Sequence, residues 1–268
     1  MKIFTALENL FTPRVLIIVN LAIILAAEFV GGGHFFAENG LMHAIAIVFV
    51  GLVIVRIFSD YAFSDRVLKG FLNIQLGFFL LLGFVHLYEY LGLNVLLLNS
   101  KVVEISVAIS YLLWFLGMLL ALEFVSKVYY QKKGIAIGIF ITLISMAVLL
   151  LVALHLFGGL IWYLPHWFPE MMLVVIVALV VAEISSLIGM RKIMPIFYDY
   201  SRYAIPATAL LFLAAFSEYG ESTGILGVLG VSSEQNLYIS HFLVYAVLSL
   251  LYIGFGKLKR PTGIYAEM

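Results

Sequence analysis

The sequence predicts an all-α polytopic membrane protein, with eight transmembrane helices arranged as two parallel four-helix repeats about a pseudo-twofold axis. Three observations predict it. Of the 268 residues, 64% are hydrophobic and 11% charged, and the mean hydropathy is +1.14. A soluble domain of this length has too much surface to hide so much apolar material, so lipid must be the solvent for most of it. Eight apolar runs, near 13–33, 42–58, 68–91, 103–126, 135–160, 169–190, 203–219 and 236–256, approach the roughly 20 residues that a helix needs to cross a hydrocarbon core of about 30 Å. Finally, with the N-terminus in the cytoplasm, all of the 15 lysines and arginines except Lys101 fall on the cytoplasmic side, as cytoplasmic loops retain basic residues. One span more or fewer would scramble that asymmetry.

Taken in order, residues 1–12 read as an interfacial helix, since Phe4, Leu7, Leu10 and Phe11 recur at helical spacing. The first four-helix repeat is expected over 13–130. Its first run follows Pro13 and Arg14 and is read as retained, because no small-residue cleavage site follows it cleanly. The second run lies between His43 and Arg56. The third leads from Lys69 to His86 and Glu89, and the fourth from Glu104 to Lys127. The second repeat, 131–257, begins with Lys132 and Lys133 and reaches His155. It continues from Glu170 to Arg191, returns from Arg202 to Glu218 and Glu221, and closes from Glu234 and His241 to Lys257. Residues 258–268 form a cytoplasmic tail, and the expected location is a plasma or inner membrane with both termini inside. Pro13, Pro165, Pro169, Pro195 and Pro261 mark span edges.

The repeat emerges when the chain is laid on itself. A shift of 127 places "EFVGG" (28–32) on "HLFGG" (155–159) and "HAIAIVFVGLVIV" (43–55) on "EMMLVVIVALVVA" (170–182); shifts of 132 and 134 continue the match through 81–89 and 104–111. Glu28 then falls on His155, His43 on Glu170, His86 on Glu218 and Glu89 on Glu221. Four positions are ionisable in both copies, and three of them exchange His for Glu. Both residue types exchange protons and donate lone pairs to metals. All six histidines are expected at or near the extracytoplasmic side, with His34, Glu38 and His166 in loops.

Charged groups in hydrocarbon cost several kcal/mol, so the deeper members should face the bundle interior or a wet cavity. Glu28, His43, His86, Glu89, His155, Glu170, Glu218 and Glu221 are therefore the expected metal set, as His and Glu suit zinc, iron, manganese or copper. His86 and Glu89 share one helix face. His86, His155 and His241 are the candidate axial ligands of a haem b, and the same His/Glu depth suits a quinone site. Glu123 and Glu183 would carry protons inward, or reach the inner interface. The expected function is thus a membrane subunit of a redox-linked complex whose His/Glu cluster binds metal, haem or quinone, with other subunits as partners. The alternative is a cation- or proton-coupled transporter, and the same residues can also bond across the seam between halves without any ligand. Enzymatic activity is left open. With no cysteine, thiolate sites are excluded, and with zero net charge nothing points to nucleic acid. No phosphate-binding loop, HExxH or nucleophile elbow occurs.

Overall fold

The computed structural model of the protein describes residues 41–61, 66–91, 100–130, 167–222 and 230–258, and these form six helices with no strand among them. The helices are α1 (Leu41–Tyr61), α2 (Arg66–Leu91), α3 (Ser100–Tyr130), α4 (Phe168–Ile193), α5 (Pro195–Ser222) and α6 (Ser233–Phe255). Each covers one of the apolar runs to within a residue. The runs at 13–33 and 135–160, and the interfacial helix at 1–12, lie outside the described residues.

Local signals explain the helix ends. Ser232 caps α6 by accepting from Gln235 N at 3.2 Å, while Gln235 Oε1 accepts from Ser232 N at 3.1 Å, a reciprocal capping box. Pro169 lies in the first turn of α4, where its missing N–H costs nothing, and Glu170 beside it meets the positive end of the helix dipole. Pro195 forces Met194 into an extended conformation, φ −123° and ψ 111°, which ends α4 after one residue and lets α5 begin at once. Pro206 lies inside α5. It was absent from the proline edge positions in the sequence, and it removes one backbone donor from mid-helix.

Five helices are long and apolar enough to cross a membrane: α1, α2, α3, α4 and α6. With 28 residues, α5 has the length, but Asp199, Arg202 and Glu218 dilute its hydropathy. Each helix packs on its sequence neighbours and α6 returns to α1, so the six form a closed ring in chain order. Contacts set the directions. Val50 faces Gly83 while His43 meets Glu89, Phe78 faces Gly117 while Phe124 faces Gly70, and Tyr200 faces Gly254 while Ser217 meets Asn236, so α2 runs against α1 and α3, and α5 against α6. Met42 with Tyr245, and Arg56 with Gly256, make α1 and α6 parallel.

One end of the bundle consequently collects Arg56, Lys69, Lys127, Arg191, Lys192, Arg202 and Lys257, and the other collects His43, His86, Glu89, Glu170, Glu218 and His241. Between them the ring is filled. Phe71 from α2 meets Phe197 and Tyr200 of α5 at 5.2 and 5.8 Å between ring centroids, and Phe79 meets Trp114 and Phe255 at 5.9 Å. Outward, Val48, Phe84, Val174 and Val181 are more than half exposed, the surface expected of helices bathed in acyl chains.

Candidate metal centre

His43 lies in the first turn of α1, and His86 and Glu89 occupy one face of the last turns of α2. Because the two helices are antiparallel, the start of one lies against the end of the other, and three chemically active side chains converge. His86 Nδ1 is 2.9 Å from Glu89 Oε2, and His43 Nδ1 is 3.1 Å from the same oxygen. All three side chains are buried. One ligand atom from each can be chosen so that all lie within 4.8 Å of one another.

A third imidazole lies alongside. His241 of α6 packs edge-on against His43 with ring centroids 4.9 Å apart, and its Nδ1 is 3.4 Å from Ser240 Oγ. The His43 and His86 centroids are 6.0 Å apart. Behind the cluster, Tyr245 donates from its hydroxyl to Met42 O at 2.9 Å and stacks on Phe49 at 5.5 Å. This holds the start of α1 against α6. Ser217 of α5 donates to Asn236 Oδ1, while Asn236 Nδ2 donates to Ser217 O at 2.9 Å, joining α5 to α6 at the same end.

Charge balance defines what this pocket can do. Were both imidazoles neutral, the carboxylate would leave a net −1 inside an apolar bundle, and such a charge demands a counter-charge. Glu89 Oε2 is approached by both imidazoles, whereas Glu89 Oε1 is buried without a hydrogen-bond partner. The roughly 3 Å separations lie close to those between ligand atoms sharing one metal, given metal–ligand bonds of about 2.0–2.2 Å. They equally suit a His–Glu–His chain closed by one proton.

The other expected site residues divide clearly. Glu170 is exposed in the first turn of α4, away from the triad. Glu218 is half-buried near the end of α5 and interacts electrostatically with Tyr111, which also feels Glu89. Glu221 lies in the last turn of α5, with its side chain outside the described residues, and Glu28 and His155 lie wholly outside them. Glu123 is taken up in an ion pair with Lys127 at 3.0 Å, at the basic end. Glu183 is buried in α4, where Thr208 of α5 meets its Oε1. Sequence reading did not single out Thr208, Tyr245 or Asn236, since a hydroxyl or amide on an apolar helix shows no partner until the neighbouring helix is placed.

The fold and cluster together define a helical membrane-type bundle with an internal acid–imidazole site. No protein-family model, no curated protein and no solved structure matches the chain.

Proposed function

We propose that this chain is an integral membrane subunit of a redox-linked complex and holds a transition-metal ion between His43, His86 and Glu89, at the extracytoplasmic end. The observation that carries the reading is the convergence of three buried ligand-type side chains on one point, with Glu89 Oε1 buried and without a hydrogen-bond partner. Two imidazoles and a carboxylate are the donor set of zinc and of non-haem iron. His241 is in place to supply a fourth ligand or a hydrogen bond to the first set. Of the candidate haem ligands His86, His155 and His241, His155 lies outside the described residues. A quinone would use Glu89 and His86 as proton acceptors.

The same proposal includes eight spans, two parallel repeats and cytoplasmic termini. The ring order supports it, because α1 to α3 and α4 to α6 follow one another as two equivalent halves would. Moreover, α3 ends at the basic end and α4 starts at the other, in keeping with a further span between them in the sequence.

Elemental analysis of the purified full-length protein is the direct test. Near-stoichiometric zinc, iron, manganese or copper is expected, lost on His86→Ala and Glu89→Gln and kept on Glu170→Gln. A metal-free protein that also fails to develop a ligand-field spectrum with cobalt(II) would sink the metal reading and leave a proton-bridged structural cluster. An accompanying redox subunit should co-purify. The alternative, a cation-coupled transporter, is favoured by the second buried carboxyl at Glu183. Metal uptake into proteoliposomes by the chain alone would select it.

A further inference from the structure

The described residues hold a second buried acid whose surroundings differ from those of Glu89. Glu183 lies on the ring-facing side of α4, 2% exposed. Its Oε1 contacts Thr208 Oγ1 across the α4–α5 interface, and its Oε2 is buried with no hydrogen-bond partner. No lysine, arginine or histidine pairs with it among the described residues. Tyr200 of α5 shares its electrostatic environment but sends its hydroxyl to Met118 Sδ at 3.4 Å. On α3 the charged pair Glu123–Lys127 satisfies itself. On α4 Arg191 lies 4.7 Å over the Tyr198 ring, and on α5 Asp199 and Arg202 are exposed.

Counting hydrogens then becomes decisive. Thr208 Oγ1 is also 2.9 Å from Ala204 O, the helix carbonyl four residues earlier. A hydroxyl has one hydrogen, and a carbonyl can only accept. If Thr208 donates to Ala204 O, the contact with Glu183 is a hydrogen bond only when the carboxyl supplies the hydrogen. The ionised alternative gives a carboxylate a single donor, no cation and one bare oxygen in a low-dielectric interior, which is costly. The neutral acid satisfies both contacts at once.

We propose that Glu183 is a proton-binding site within the membrane interior, a carboxylic acid that donates to Thr208 and exchanges its proton. It belongs to the α4–α5 hairpin and is separate from the His43–His86–Glu89 centre. Pro206, two residues before Thr208, removes a backbone donor from this stretch of α5, so Thr208 sits where the helix ladder is already interrupted.

A hydrophobic carbodiimide tests this on the full chain in lipid. The protonated carboxyl gives its hydrogen to one carbodiimide nitrogen while its oxygen adds to the central carbon. The resulting O-acylisourea rearranges to a stable N-acylurea, retaining every atom of both reactants. Mass mapping should find the adduct on Glu183, with labelling falling about tenfold per pH unit above its midpoint, and complete loss in Glu183→Gln. Thr208→Val should keep the adduct but displace the midpoint. Because Glu183→Gln can fail to fold, the wild-type infrared band of a protonated carboxyl, shifted on transfer to deuterium oxide, gives a second reading. Absence of the adduct at Glu183 would overturn the proposal, as would a pH-independent band. Suppression of labelling by sodium at constant pH would overturn it in favour of a sodium site.

Discussion

At the scale of single residues, Glu89 and Asn236 represent two ways of burying polarity. Asn236 is fully reciprocated, sharing its amide with the hydroxyl and carbonyl of Ser217. Asn236→Ala should therefore cost about 1–2 kcal/mol, read as a lower unfolding midpoint in detergent with metal content unchanged. Glu89 is over-approached at one oxygen and bare at the other, and its substitution should act on metal binding first. Imidazoles must be neutral to ligate, so protons and metal compete. Metal affinity should therefore fall on acidification. An isothermal titration of zinc at stepped pH reads this directly, and a flat profile would exclude the histidines as ligands. His86 and Glu89 were legible as a pair because a spacing of three places them on one helix face. The addition of His43 was legible only as an ionisable residue at a span edge, since helix pairing decides which edge residues meet.

At the scale of elements, glycines set how closely the helices approach. A Cβ on Gly117 of α3 would lie 2.6 Å from Phe78 Cγ and 2.7 Å from Phe78 Cβ of α2, atoms too near the backbone to swing aside. Gly117→Val should cost about 1–3 kcal/mol through overpacking. Gly77 of α2 has nothing within 4 Å of its would-be Cβ, so Gly77→Ala should leave the same thermal midpoint unlowered. The contrast matters more than either value. Ser232→Ala, which removes the α6 cap, should lower stability by about 1 kcal/mol. Helix existence was easy to read because long apolar runs have few alternatives. The limits were harder: α5 begins eight residues before its apolar run, because Pro195 starts a helix whether or not the following residues are greasy. Gln75 shows what apolar patterning conceals. Its donation to Gly117 O at 2.9 Å ties α2 to α3, the interhelix role that an amide inside a span implies.

At the scale of the whole molecule, Arg56 holds the point where the ring closes. Its guanidinium lies 5.6 Å from the Tyr252 ring centroid and against Gly256, at the carbonyl-rich end of α6. The separation of basic from acid–imidazole ends was legible directly from charge placement, whereas the closure of the ring was not, because it depends on which face of α6 meets α1. The absence of cysteine gives a clean test of orientation. Trp167→Cys and Lys257→Cys lie at opposite ends and are exposed. An impermeant maleimide added to intact cells should label the first and spare the second until the membrane is opened. The reverse pattern would invert the topology and place the metal centre on the cytoplasmic side.

The one-residue joint at Met194 has a bearing on how the chain is made. With Pro195 following immediately, α4 and α5 have no loop to hand across a bilayer separately. The most apolar of the five spans among the described residues lies on one arm of this hairpin, and the arm with Asp199, Arg202 and Glu218 lies on the other. The first arm has the lipid affinity to enter unaided; the second does not, on composition. The pair should therefore enter lipid as a single unit, with α4 as the driver and α5 as its passenger. Glu183 and Thr208 would then meet during synthesis, before the ring has closed around them.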